Sequence, residues 1–314
     1  MTDFIRIPSN PVPPGGELKC IETADGAHLR AAFFPVEGAR ACAVLMSGRS
    51  EFIEKYFEVI NDLHARKIAV ATMDWRGQGL SSRLLPVSEK GHINDYGTYQ
   101  SDLRNFIEQD VKPRFDGPFI LMTHSMGGLP ALHLLAEGYD FFERAILCAP
   151  LTDLELTPVM KAASKGMSKL ATRVGFSRAA VSAVKEYSLE FDGNALTTDR
   201  ERHKRFHDLQ AAAPNACIYA PTYGWLNATM DGIQKIHEPG ALTDIKTPVL
   251  IISAEKDDLV STPDHVDLAK SYRQIDQLTI TGALHEIMME RDELRDQYWK
   301  AVDDFIAPSL PATA

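Results

Sequence analysis

The sequence predicts an α/β protein: a mainly parallel, doubly wound sheet with an inserted helical cap. Three observations predict it. Short apolar, β-branched runs alternate with segments of helical period, the pattern of a sheet covered on both faces. One junction, Thr123-His124-Ser125-Met126-Gly127-Gly128, joins an apolar run to a helical one through a sharp turn that carries a serine. The alternation then breaks from 151 to 241, where helical patterns continue without a convincing core strand. That stretch is too long for a bare loop in a compact domain. Residues 1–150 and 242–314 are therefore expected to form the core. Residues 151–241 are expected to cap the sheet's carboxyl edge, where ligands bind in open α/β sheets.

The elements follow in order. Runs 18–23 and 28–34 flank Asp25-Gly26, a turn pair that suggests an opening hairpin. Residues 41–46 form a short apolar strand, 53–66 carry helical spacing, 68–73 form a second apolar strand, and 96–111 are helical again. The strand 118–122 leads into the serine turn, the helix 129–135 leaves it, and 145–149 form a further buried strand. Beyond the break, strands 248–253 and 277–280 enclose a helix near 264–271, and a helix over 291–305 closes the pattern.

Charge and composition exclude several classes. A net charge of −10 argues against general nucleic-acid binding, which needs clustered Lys and Arg to neutralise phosphates. Cys20, Cys42, Cys148 and Cys217 lie far apart without metal-ligand spacing. Cys42 and Cys148 fall inside apolar strands, so buried reduced thiols are expected there. The first residues carry no signal-peptide pattern, and no run reaches transmembrane length, so a cytoplasmic location is expected. His203 and His207 are four apart on an expected helix, but Lys204 stands where H-E-x-x-H needs Glu, and the charged surroundings predict a solvated face. No metal or cofactor is expected. Asp74-Trp75-Arg76-Gly77-Gln78-Gly79 is glycine-rich but lacks phosphate-loop and dinucleotide spacing, so Arg76 is expected to tie loops together. His124 and His133 are expected to pack.

A strand, a sharp turn bearing Ser125 and a helix form the geometry of a nucleophile elbow, although Thr123 replaces the first glycine of G-x-S-x-G. A serine hydroxyl needs a base, and the base needs a third group to orient it. Past the strand 248–253 comes Ala254-Glu255-Lys256-Asp257-Asp258, which puts an acid at a strand's carboxyl end. Past the last strand comes Gly282-Ala283-Leu284-His285-Glu286, which puts His285 at the same edge. Serine, acid and histidine thus follow in the order this fold class uses.

At these residues the chain resembles the serine-dependent α/β hydrolases, in particular the bacterial lysophospholipase and monoacylglycerol lipase branch. The likeness runs from about residue 48 to 290 and includes Gly48-Arg49-Ser50-Glu51, Lys55-Tyr56, Asp74 to Ser81, and the His285 segment. Thr198-Asp199-Arg200-Glu201-Arg202 and Pro221-Thr222-Tyr223-Gly224-Trp225 resemble the lysophospholipase members. The resemblance implies the α/β hydrolase fold, with Ser125 as nucleophile, His285 as base and Asp257, rather than Asp258, as its orienter. It implies the backbone N–H groups of Arg49 and Met126 as oxyanion donors, with Tyr223 and Trp225 as candidates for substrate contact. It also implies a single-chain lipid ester as substrate. Another esterase or an aminopeptidase of the same fold, or a slow ligand sensor with a retained triad, is the alternative.

One cap feature stands apart. Lys161, Lys165, Lys169 and Arg173 recur every fourth residue, with Met160, Ala163, Met167, Leu170 and Val174 largely on the other side. Such a basic amphipathic helix is expected either as an ordinary cap helix whose Lys residues face water or as a peripheral contact with an anionic membrane, at its inner face for a cytoplasmic protein.

Overall fold

Eight strands lie side by side in the order β1-β2-β4-β3-β5-β6-β7-β8 in the computed structural model, which describes residues 3–184 and 190–310. They are β1 (Glu17–Glu22), β2 (His28–Phe34), β3 (Ala41–Met46), β4 (Ile68–Met73), β5 (Phe119–His124), β6 (Arg144–Cys148), β7 (Val249–Ala254) and β8 (Ile275–Ile280). The strands from β4 through β8 pair in parallel, and only the hairpin β1–β2 and its junction with β4 are antiparallel. Strands β3, β4 and β7 are buried at every residue, as expected for a parallel sheet covered on both sides.

The helices are α1 (Phe57–Ala65), α2 (Tyr96–Phe106), α3 (Gly128–Ala136), α4 (Pro158–Arg173), α5 (Arg200–Ala212), α6 (Tyr223–Ile236), α7 (Thr262–Ser271) and α8 (Asp292–Ile306). Side-chain caps start several of them. Asp95 accepts from Gly97 N–H at α2, Asp199 from Arg202 N–H at α5, and Thr222 from Trp225 N–H at α6. The expected helix over 53–66 begins as a 3-10 turn, Ile53–Tyr56, before α1.

Sheet order determines where a site can form. Successive strands β3 and β4 step one way, and β5 then pairs on the opposite side of β3. The loops leaving β3 and β5 therefore diverge and open a crevice at the carboxyl edge. Between β6 and β7 the described residues contribute α4, α5 and α6 and no strand of the sheet. Helix α6 nevertheless places Trp225, Ala228, Ile233 and Ile236 in the same apolar cluster as the strands.

Candidate active site

Strand β5 runs on through Thr123 and His124, which pair with Leu147 and Cys148, so it is longer than the sequence predicts. Ser125 follows at φ 48°, a left-handed conformation that costs a non-glycine residue on the order of 1–3 kcal/mol. A 3-10 turn over Ser125–Gly127 then opens α3. The two glycines are required by close approach. A Cβ on Gly127 would lie 2.7 Å from Ser47 O, and one on Gly128 would lie 2.4 Å from Cβ of Pro150. Thr123 is 1% exposed, and its Oγ1 stands 3.6 Å from where a Cβ on Gly128 would be, an ordinary contact distance.

Ser125, His285 and Asp257 come together at the carboxyl edge. Ser125 Oγ lies 2.9 Å from His285 Nε2, and His285 Nδ1 lies 2.8 Å from Asp257 Oδ2. The other carboxylate oxygen, Oδ1, accepts from Leu259 N–H at 2.9 Å and Val260 N–H at 3.0 Å. Burial pushes the Asp257 carboxyl up, but the bond to His285, its charge and the two amides outweigh this and hold it below the usual carboxylate range. A carboxylate there fixes Nδ1 as the protonated nitrogen and leaves Nε2 to accept from the serine. Asp258 is exposed and points to no such role.

The loop after β3 is held on both sides of Arg49. Glu51 Oε2 accepts from Gly48 N–H, and Gln78 Oε1 accepts from Ser50 N–H at 2.7 Å, with Ser50 at φ 66°. The Gln78 amide also reaches Met126 Sδ at 3.4 Å, so one buried side chain touches Met126 and the residue that follows Arg49, the two expected oxyanion donors.

Below the serine lies a group of buried charges that the sequence reading passed over. Lys55 Nζ sits 2.7 Å from Glu51 Oε1 and 2.5 Å from Glu286 Oε1, and Tyr56 OH donates to Glu51 Oε2 at 2.6 Å. His124 Nδ1 is 3.1 Å from Glu51 Oε2, and its Nε2 is 3.3 Å from the backbone carbonyl of His285. Burial disfavours charge on His124, but the Glu51 carboxylate outweighs it and raises its pKa above the ordinary histidine value. Glu51 is pushed up by burial and brought well below its usual range by His124 and Lys55. His124 thus joins Glu51 to the backbone of the His285 loop through its two ring nitrogens, a polar role beyond the packing expected from sequence. His133 bridges α3 to α6 through Gly232 O at 2.9 Å. Arg76 ties Asp25 to Asp102, as the sequence suggests.

A cavity of about 650 Å³ opens on Ser125 and His285. Leu151, Leu154, Leu196, Phe206, Trp225 and Val260 give it apolar walls. Trp225 is therefore in the position expected of a contact residue, whereas Tyr223 does not line this cavity and Tyr219 does. His203 and His207 correct another expectation. Helix α5 turns them into the cavity, with His203 7% exposed and their Nε2 atoms 3.3 Å apart, so this is no solvated face. Burial lowers both pKa values. Among the described residues no three His, Cys, Asp or Glu side chains converge as a metal site.

This sheet, with a serine at the β5–α3 turn and an acid and histidine after β7 and β8, defines an α/β hydrolase of the serine type. Residues 37–292 match the family model described as serine aminopeptidase, S33, and the chain belongs to that family. Lysophospholipase L2 of Escherichia coli K12 is 30% identical over 274 residues, 83% of this chain and 79% of the relative. A probable lysophospholipase L2 of Haemophilus influenzae is 27% identical over 281 residues, covering 87% and 85%. A crystal structure of a soluble variant of monoglyceride lipase from Saccharomyces cerevisiae superposes with a TM-score of 0.75 at 19% identity, covering 93% of this chain and 96% of that one.

Proposed function

We propose that this protein is a serine carboxylic-ester hydrolase of single-chain lipid esters, lysophospholipids or monoacylglycerols, working through an acyl-serine intermediate. The observation that carries the reading is a Ser125–His285–Asp257 hydrogen-bond chain opening on a cavity with apolar walls. Ser125 Oγ attacks the ester carbonyl while its proton passes to His285 Nε2, and Asp257 stabilises the imidazolium. Backbone N–H groups of Arg49 and Met126 hold the oxyanion; losing one such donor typically costs about 3–4 kcal/mol. The intermediate collapses as His285 gives its proton to the departing glycerol oxygen. Water, deprotonated by His285, then cleaves the acyl-serine, releases the fatty acid and restores the serine proton.

A fluorophosphonate should label the wild type and not Ser125→Ala. Asp257→Asn should lower kcat on lysophospholipid and monoacylglycerol by about 10³ to 10⁴. The family's description makes a peptidase the second reading, and it requires a carboxylate to hold the substrate amine. Glu190 and Asp192 do line the cavity, but Asp192 already pairs with Arg200 at 3.0 Å. Faster turnover of aminoacyl p-nitroanilides than of either lipid would sink the ester reading.

The lipid reading gives residues 151–241 a purpose as a cap on a core of residues 1–150 and 242–314, since α5 and α6 both supply cavity walls. It also gives α4 one. Of its cations, Lys161 pairs with Asp153 and Lys165 bonds to Gln234, so only half of the basic stripe is turned outward. Its apolar side is the exposed one: Val159, Met160, Met167 and Leu170 face water, followed by Val174 and Phe176. That surface, flanked by Lys169 and Arg173, suits the headgroup boundary of an anionic bilayer. No helix among the described residues is long and apolar enough to cross a membrane. Wild type should co-sediment with anionic vesicles more than with zwitterionic ones, and Met167→Glu with Leu170→Glu should abolish it; equal sedimentation of the variant refutes the contact.

A further inference from the structure

Helix α5 sets two imidazoles, His203 and His207, one turn apart in the wall of the cavity that opens on Ser125. The proposed ester chemistry uses neither ring, and an acyl chain lying on that wall calls for apolar side chains, as Phe206 and Leu196 supply. The rings lean toward each other at their tips: the centroids are 4.4 Å apart and the Nε2 atoms 3.3 Å. That separation lies beyond the usual hydrogen-bond range of roughly 2.7–3.2 Å. It matches the bite of a tetrahedral ion, because two nitrogens held about 2.0–2.1 Å from one Zn²⁺ stand about 3.3–3.4 Å apart. A spacing of four residues is also the one by which a single helix face presents two histidines to zinc.

The surroundings admit a cation. Burial disfavours charge on both rings, so each offers the neutral imidazole that ligates metals. Of the other charges acting on one or both rings, Glu286 and Asp208 attract a cation, while Lys55 and Arg200 repel one. Both repelling groups are paired, Lys55 with Glu51 and Glu286, and Arg200 with Asp192. Phe191 meets the His203 ring edge to face with centroids 5.4 Å apart, a contact that restrains the ring. Imidazole nitrogen suits zinc, copper and nickel, whereas Mg²⁺ and Ca²⁺ seek oxygen. Structural zinc takes four protein ligands. Two leave the remaining positions to water, the mark of an exchangeable ion.

We propose that His203 and His207 form a two-histidine site for a divalent transition-metal ion of the zinc type, and that the ion bound there obstructs the cavity and inhibits ester hydrolysis. The site itself stands on the geometry of α5. Only the inhibition rests on the ester-hydrolase reading: an ion and its waters fixed to the wall take up room that the substrate needs on its way to Ser125.

Zinc binding is measured by titration calorimetry on metal-stripped protein. Hydrolysis of p-nitrophenyl butyrate is followed with and without Zn²⁺, each variant against its own rate in EDTA. Wild type should take up one Zn²⁺ per chain and lose at least tenfold in kcat/KM when it is bound, while Mg²⁺ at the same concentration leaves the rate within twofold. His203→Gln and His207→Gln should each weaken zinc by roughly 10- to 100-fold or more, since losing even a group that only orients a ligand costs that much. Both should escape inhibition at the zinc concentration that silences wild type. Ser125→Ala and His285→Ala should still bind one ion, which separates this site from the triad. His207 is half-buried, so its variant keeps the test decisive if His203→Gln fails to fold. Zinc that binds and inhibits equally in both histidine variants, or that is lost in His285→Ala, would place the ion elsewhere and overturn the proposal. Binding to the pair with an unchanged rate would overturn the inhibitory role. Wild type inert on esters in EDTA would overturn the ester-hydrolase reading, a separate result, because calorimetry would still decide the site.

Discussion

At the scale of single residues, Gln78 shows how a side chain remote in sequence can set the geometry of a site. Its carbonyl holds Ser50 N–H and its amide reaches Met126 Sδ, so it spans the two backbone segments proposed to meet at the oxyanion. Truncating it leaves the Ser50 amide buried without that acceptor and loosens the spacing between the two donors. Small misplacements of this kind act on the transition state more than on substrate binding. Gln78→Ala is expected to lower kcat by about 10- to 100-fold with KM within about threefold, as for a positioning residue. Steady-state kinetics with a short-chain ester read this directly, and an unchanged kcat would show that the loop holds itself. The three residues proposed as a triad could be picked out in the sequence because each lies a few residues at most past an apolar strand. Gln78 and His124 were visible only as motif letters. The carboxylate that His124 Nδ1 meets, Glu51, lies 73 positions away, and no local pattern announces that pair.

Secondary elements were read best where burial is uniform. Strands β3 and β4 match their expected bounds residue for residue, because an apolar run buried on both faces has sharp ends. Helix α4 was found too, but amphipathicity alone does not say which face meets the protein. Here the small and polar side, with Ser168 as its buried residue, packs inward, and the apolar side is exposed. How elements are joined was less legible still. Glu58 on α1 accepts from Arg202 at 2.7 Å and from Arg205, both on α5, and from Arg295 on α8 at 3.2 Å. Burial pushes its carboxyl up, but the Arg202 bonds and the charges of Arg295, Arg205 and Arg202 outweigh this and bring it to about 2. A carboxylate depressed in the folded state stabilises the fold above its unfolded pKa of about 4.3. That contribution disappears as pH falls through the folded value, about 2. The Tm gap between wild type and Glu58→Gln should therefore be full at pH 7 and shrink steadily below about pH 4.3. A gap independent of pH from 7 to 3 would show that the three arginines do not depend on this charge.

For the whole molecule, the question is whether the proposed cap is a separate folding unit or part of the core. Its three helices are attached very differently. Helix α6 shares the main apolar cluster with the sheet, accepts a bond from His133 at Gly232 O, and links Thr229 Oγ1 to Tyr96 OH at 3.2 Å. Helix α5 rests on a small separate cluster, Phe52 with Leu209, Ala213 and Ala216, together with the Glu58 ion pairs. Helix α4 touches the rest chiefly through α6 and leaves its apolar side in water. Opening free energy follows buried apolar contact, so these helices should not open together. Removing α6 from the sheet exposes Trp225, Ile233 and Ile236 along with the face of α2 and α3 they cover, which amounts to breaching the core. Removing α4 exposes little. Native-state hydrogen exchange should accordingly place α6 amides in the slowest class with β3 and β5, α5 amides between, and α4 amides in the fastest helical class. Calorimetry should give one main transition containing both sheet and α6, with calorimetric and van't Hoff enthalpies close to equal. Two resolved transitions, with α6 exchanging as fast as α4, would show that residues 151–241 fold as a unit of their own. Uniform slow exchange across all three helices would show instead that α4 is anchored by more than its contact with α6.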